Sequence, residues 1–254
     1  MGTIAITGSA SGIGAAVRRR LESDGHRVIG VDLRGAEIDA DLGTPAGRST
    51  AAARVRELAG GRLDGVVACA GIGPHVPDGA AIVSINYFGA VAILEQLRET
   101  LAVARGAAVA VSSNSASIPS SDNEIAAACL EGDESAARRI ATDLAGQSAY
   151  GGSKLALARW VRRAASSAAW AGAGVRLNAV APGVVMTPLL QGGLDHAVLG
   201  DAIRNFPIPR GAFGKPEEIA GAIAFLLGRD ASYCNGSVLF VDGGTDALLR
   251  PERF

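Results

Sequence analysis

The sequence predicts an α/β fold: a single doubly wound domain in which a parallel sheet carries helices on both faces. Three observations predict it. Short β-rich apolar runs alternate with longer helical patterns along all 254 residues. The first run passes through a glycine-rich turn directly into a helix. The internal runs are apolar throughout, as in parallel strands covered on both sides. No linker and no short-period repeat divides the chain.

Thr3–Thr7 is the first strand, and Gly8, Ser11, Gly12, Ile13 and Gly14 make the turn into a helical pattern that continues to Leu21. The glycines fall as G-x-x-x-G-x-G, one residue longer in the first gap than the dinucleotide fingerprint. The physical task is the same: backbone N–H groups at a helix start brought close to a pyrophosphate. This makes the domain Rossmann-type. The second strand, 27–31, ends at Asp32, whose carboxylate is placed to meet ribose hydroxyls and to repel a 2′-phosphate. NAD(H) is therefore expected in preference to NADP(H), with Arg34 as the opposing charge.

A loop over 33–40 leads to Asp41 and Leu42, then to a helix over Pro45–Leu58. The third strand, 64–69, turns at Ala70 and Gly71 into a loop over 73–79. A helical pattern over 83–101 contains Asn86, an amide that must be satisfied by backbone or an ordered water if buried. Ala107–Val111 is the next strand and ends in the hydroxyl-rich run Ser112, Ser113, Asn114, Ser115. Residues 118–147 separate Ser113 from Tyr150 far beyond an ordinary connection and read as an inserted helical element.

Tyr150 and Lys154 stand four positions apart at the head of a helix expected to reach Trp170, so both groups share one face. An ammonium beside a phenol stabilises the phenolate and fits it for general acid/base work. A strand over 175–180 ends in Pro182 and Gly183. Residues 184–214, with Val185, Thr187, three further prolines and several glycines, read as a mobile cover over a pocket. A helix over Pro216–Leu227 and a strand over 237–241 complete the pattern.

Composition limits the partners. The net charge of −1 leaves no basic stripe for nucleic acid or an anionic membrane. No apolar run reaches the roughly 20 residues of a membrane span, and the first strand begins too early for a signal peptide. Cys69, Cys129 and Cys234 read as buried thiols of a reducing compartment, so the cytoplasm is expected. His26, His75 and His196 lack metal-ligand spacing, and no metal is expected.

Taken in order, T-G-S-A-S-G-I-G (7–14), Asp32, C-A-G (69–71), Asn86, Ser113, Y-x-x-x-K (150–154), P-G-x-x-x-T (182–187) and V-D-G-G (241–244) resemble the short-chain dehydrogenase/reductase family over nearly the whole chain. V-D-L-R (31–34), A-D-L (40–42), C-A-G-x-G-P (69–74), N-Y-F-G-A (86–90), the long insertion and D-G-G-x-D-A-x-x-R-P (242–251) are similar to the bacterial 3α-hydroxysteroid dehydrogenase/carbonyl reductase branch. Cys69 departs from the broader family, where an asparagine is usual.

The Leu, Ile, Phe and Pro residues of 189–213 are expected to line a hydrophobic cleft suited to a rigid polycyclic substrate. The resemblance implies an NAD(H)-dependent oxidoreductase interconverting a secondary alcohol and a ketone. It makes Tyr150 the general acid/base, Lys154 the group that lowers its pKa and holds the nicotinamide ribose, Ser113 the hydrogen-bond partner of the substrate oxygen, and Asn86 the holder of a proton-relay water. Asp41, Leu42, Ala70, Gly71, Pro182, Gly183, Val185 and Thr187 join the glycine turn and Asp32 as expected cofactor contacts. In the family the Asn86 and Tyr150 helices commonly form a subunit interface. The insertion beside them favours a homodimer over the common tetramer. The alternatives are a reductase of another carbonyl (diketone, sugar alcohol or acyl) and an NAD-binding regulator without turnover.

Overall fold

Seven strands form one parallel sheet: β1 (Thr3–Thr7), β2 (Arg27–Asp32), β3 (Ile38–Asp39), β4 (Gly65–Ala68), β5 (Ala107–Val111), β6 (Arg176–Pro182) and β7 (Val238–Val241), in the spatial order β3-β2-β1-β4-β5-β6-β7. The computed structural model describes residues 1–118, 123–144 and 146–253. Thr7 pairs with Val31 on one side and Ala68 on the other, so the carboxyl ends of the central strands lie level. The strand order reverses at β1, and a crevice opens there.

The sheet's two faces bury different side chains. On one face Ala5, Ala108, Ala110, Leu177 and Ala179 pack under α2 (Pro45–Leu58), α4 (Ala90–Ala104) and α7 (Gly146–Ala165), which contribute Val55, Leu94, Leu97 and Leu157. On the other, Ile4, Ile6, Val109 and Val180 meet Val17 and Leu21 of α1 (Gly12–Ser23) and Ile219, Ile223 and Leu226 of α10 (Pro216–Leu227). Successive strand residues point to opposite faces, so one apolar run feeds both layers. The alanines on the α4 and α7 side let those helices lie close to the sheet.

Several boundaries differ from the sequence expectation, each for a local reason. The loop over 33–40 contains β3, whose two residues are too few to show a periodicity. The helix expected from 83 begins four residues earlier as α3 (Gly79–Val83), because Asp78 Oδ1 accepts from Ala81 N at 2.9 Å and caps it. It runs through a π-helical segment, Ser84–Gly89, into α4, and Arg105 ends it in the left-handed region at φ 53°. The run from Gly79 to Ala104 is thus long and apolar enough to cross a membrane by length and composition, against the sequence expectation. In the fold it is a core helix, with 67% of its most apolar window buried.

Helix α7 stops five residues short of Trp170, which is instead buried with its ring edge-on to Trp160. Residues 184–214, expected to be a mobile cover, contain two short helices, α8 (Pro188–Leu194) and α9 (Leu199–Arg204). Thr187 Oγ1 caps α8 by accepting from Leu190 N at 3.2 Å, and Pro188 pre-sets its first turn. The insertion holds α5 (Asn123–Leu130) and α6 (Glu134–Thr142); its residues 119–122 and 145 lie outside the described residues. Helix α5 packs on α7 and α6 on α3. A last short helix, α11 (Thr245–Leu249), follows β7.

Candidate active site

A cavity of about 420 Å³ opens over the carboxyl ends of β1, β2, β4, β5 and β6. Every site residue expected from the sequence lines it except Asn86.

The glycine turn is built for close approach. Gly8 takes φ +70°, and a Cβ there would lie 2.8 Å from Ala70 Cα; a Cβ on Gly14 would lie 2.0 Å from the Gly8 carbonyl oxygen. Only glycine allows α1 to start this near the β1 and β4 ends. Ser11, at the N-cap of α1, makes no side-chain bond to the first turn, which leaves those N–H groups facing the cavity without a capping oxygen. Asp32 accepts from Ala10 N at 2.9 Å and from Leu33 N at 2.7 Å, so its carboxylate both faces the cavity and braces the glycine turn. Arg34 is exposed and lies outside the lining.

Across the cavity, Ser113 sits buried in extended backbone just past β5, and its Oγ accepts from Ser115 N at 3.1 Å. Tyr150 and Lys154 project from one face of α7. Lys154 Nζ donates to the Val111 carbonyl oxygen at 2.8 Å and stands 5.8 Å from the Tyr150 ring centre. Ser112 Oγ donates to the Lys154 carbonyl oxygen at 2.8 Å, which ties α7 to the end of β5.

Asn86, in the π-helical segment, is fully buried. Its Oδ1 accepts from Ile72 N at 2.9 Å and its Nδ2 donates to Ile72 O at 3.0 Å, the backbone alternative among the two roles weighed from sequence. A Cβ on Gly71 would lie 3.0 Å from Asn86 Oδ1 and 3.5 Å from Lys154 Nζ, so the three groups form one packed layer behind the cavity. Where the broader family uses an asparagine, Cys69 offers no amide; the turn is held instead by Thr7 Oγ1, which accepts from Cys69 N and Ala70 N, both at 3.1 Å.

A family model described as enoyl-(acyl carrier protein) reductase matches residues 144–246. The chain is 44% identical to a 3-alpha-hydroxysteroid dehydrogenase/carbonyl reductase of Comamonas testosteroni, over the full length of both. The chain belongs to the short-chain dehydrogenase/reductase family. It is also 36% identical to a cis-4-hydroxycyclohexanecarboxylate dehydrogenase of Sinomonas cyclohexanicum, covering 96% of each chain. The crystal structure of the 3-alpha-hydroxysteroid dehydrogenase from Pseudomonas sp. B-0831 complexed with NADH superposes with a TM-score of 0.96 at 49% identity, over 99% of this chain and 100% of that one. As a member of this family the protein is an NAD-dependent oxidoreductase acting on CH–OH groups.

The electrostatics of this short-chain dehydrogenase/reductase differ in one respect from the sequence expectation. Burial pushes the Lys154 ammonium down to about 8, and the neighbouring Cys69 sulfur opposes that fall. Burial likewise raises the Tyr150 phenol, and a hydrogen bond with Ser113 works against that rise. The lysine was expected to lower the phenol. It instead turns its ammonium to the Val111 carbonyl and is itself destabilised by desolvation. Cys69 is raised to about 12 by burial, which makes it an inert thiol.

Other lining residues were not foreseen. Gln147 lies one helical turn before Tyr150 on the same face of α7, a signal readable from the spacing alone. Leu33, Ala40 and Ile85 add apolar wall, and none of these three carries a polar signature, so sequence spacing could not single them out. Leu189, Leu190, Leu199, Ile203 and Phe206, from the segment expected to form a hydrophobic cleft, line the same cavity.

Proposed function

We propose that the protein interconverts a 3α-hydroxysteroid and its 3-oxo counterpart, with broader carbonyl reduction, using NAD(H) in preference to NADP(H). The observation that carries this reading is the full-length similarity to two proteins named for 3α-hydroxysteroids, joined to a cavity lined by Tyr150 together with the apolar side chains Leu189, Leu190, Leu199, Ile203 and Phe206. The cis-4-hydroxycyclohexanecarboxylate relative adds that a hydroxyl on a saturated six-membered ring is the common substrate feature of these names.

The residues present fit a nicotinamide dinucleotide. Gly8 and Gly14 open a cradle that any Cβ would fill, the uncapped start of α1 suits a pyrophosphate, and Asp32 suits a ribose diol while opposing a 2′-phosphate. When bound, that cofactor supplies the hydride. Ile13, Asp41, Leu42, Ala70, Gly71, Pro182, Gly183, Val185 and Thr187 complete its walls.

Tyr150 delivers a proton from its Oη to the substrate carbonyl oxygen, and takes it back in the alcohol oxidation. A phenol held above its ordinary pKa is fully protonated at neutral pH, so reduction starts from the correct form. Ser113 Oγ orients the same oxygen and stabilises its developing charge. Lys154 orients the nicotinamide ribose. Asn86 holds Ile72, and through it the wall beneath Lys154, which can still receive protons through ordered water. The apolar cover excludes water from the ketone. The active form is a cytoplasmic homodimer.

The experiment is NADH oxidation across a panel of 3-oxo steroids, quinones and short ketones. The expected result is the highest kcat/KM with 3-oxo steroids. A preference for acyl or sugar carbonyls would assign the protein to another branch of the family.

A further inference from the structure

Arg48, at the end of the first turn of α2, is buried and is not among the residues that line the cavity. Its Nη1 and Nη2 grip the two carboxylate oxygens of Glu134, each at 2.7 Å, a bidentate pair between residues 86 apart. The remaining donors go to backbone. Nε donates to Leu42 O at 2.7 Å, and Nη2 also reaches Gly43 O at 3.2 Å and Ser84 O at 2.9 Å. The Phe88 ring lies 6.0 Å from the guanidinium carbon.

The three carbonyls flank Leu42 and Ile85, which line the cavity at the β2 end, where Asp32 and Asp41 also stand. Glu134 comes from the first turn of α6, inside the insertion. A second residue of α6, Arg138, donates to Ser84 Oγ at 2.5 Å. Burial works to raise the Glu134 carboxyl, but hydrogen bonds from Arg48 and Ser84 and the charges of Arg48 and Arg138 outweigh it and keep the group ionised.

From this geometry we infer that Glu134 is a positioning residue for cofactor binding: through Arg48 it fixes the Leu42–Gly43 backbone and the start of the π-helical segment, and so sets the adenosine end of the cavity. The inserted element is therefore part of the cofactor site as well as a cover over α3 and α7. The inference rests on the proposed reading of this cavity as a nicotinamide dinucleotide site.

Arginine is suited to the task because its planar fork meets a carboxylate and several carbonyls at once. Lysine, a point charge on a flexible stem, would keep the ion pair and lose the backbone clamp. Glu134→Gln removes the charge while keeping shape, leaving the guanidinium buried with half its partner.

The test measures NADH and ADP-ribose affinity by titration, steady-state kinetics and thermal melting for the full chain, E134Q, E134D and R48K. Expected are Kd values for both ligands about tenfold weaker in E134Q and R48K, with a matching rise in the NADH KM. At saturating NADH, kcat and the ketone KM should stay within about twofold of the parent, a split that loss of folded protein would not produce. E134D, which retains the charge and shortens the reach, should show a smaller loss in the same direction. If E134Q melts below the assay temperature, R48K and E134D carry the comparison. Unchanged ADP-ribose affinity in folded variants overturns the inference, as does a fall in kcat with Kd intact. A parent chain that binds neither NADH nor ADP-ribose overturns the reading of the site itself, and the clamp with it.

Discussion

Lys154 Nζ donates to the Val111 carbonyl oxygen at 2.8 Å while lying under the Tyr150 ring, 5.8 Å from its centre. The ammonium has exchanged water for one carbonyl and an aromatic face, and its pKa falls from 10.5 to about 8. The function proposed for it therefore carries a stability cost. Below pH 8 folded and unfolded chains both hold the proton and the cost is present in full. As pH rises from 8 to 10.5 the folded state sheds the proton first, the unfolded state binds more protons, and stability recovers. The shift corresponds to on the order of 3 kcal/mol, from which the lost hydrogen bond to Val111 subtracts about 1. Lys154→Met is expected to raise denaturant stability by about 1–2 kcal/mol at pH 7, with the gain fading toward pH 10, while NADH-dependent turnover collapses. Equilibrium urea unfolding at pH 7 and pH 10 checks this; a destabilised variant at pH 7 would refute it.

Tyr150→Phe removes one hydroxyl from a half-buried ring and leaves the packing of α7 unchanged. NADH affinity should hold within about twofold, and kcat should fall by about 10²–10⁴, the usual contribution of a positioned proton donor. Because burial raises the phenol, alcohol oxidation by the parent should climb with pH into the alkaline range while reduction is favoured at neutral pH. Near-parental kcat in the variant would remove Tyr150 from its role.

Asp32 performs two tasks, as a charge at the cavity wall and as acceptor for Ala10 N and Leu33 N. Asp32→Ala should weaken NAD(H) binding through both and lift the penalty on a 2′-phosphate. The ratio of kcat/KM for NADH over NADPH is expected to fall by about tenfold or more, since like charges in contact cost several kcal/mol. A ratio that does not move would mean the carboxylate serves only to brace the glycine turn.

The sequence made some of this legible and hid the rest for definable reasons. The glycine turn, Asp32 and the Tyr150–Lys154 pair are short-range features, fixed within one turn or one helix face, and the cavity gathers them where the strand order reverses. Pro45–Leu58 and Pro216–Leu227 match to the residue because proline sets each first turn. β3 escaped because two residues carry no period, and α8 and α9 because glycines and prolines mimic a loop. Least visible was the Arg48–Glu134 pair: its partners are 86 positions apart, and nothing in either neighbourhood announces the other. The effect of burial on the Tyr150 phenol was not legible, because spacing reports nearness along one helix and burial depends on the whole packed fold.

The homodimer we propose is supported by where the insertion packs. Helix α5 lies on α7 and α6 on α3, so the outer side of the helices bearing Tyr150 and Asn86 is covered by the chain itself, and Ile125, Ala126, Cys129, Ala137 and Ala141 bury their side chains there. A second subunit could not reach that face without displacing them. At the other end of the sheet, Leu239 of β7 and Phe225 of α10, which packs on β7, are both exposed, and we propose this apolar edge as the seam of a twofold dimer. Light scattering should give twice the chain mass of 25.6 kDa. Replacing Leu239 and Phe225 with lysine should yield monomers, since two buried charges facing their own copies are unpaired. Four chains per particle, with α5 and α6 still open to hydrogen exchange, would show that the insertion does not block the family's common interface.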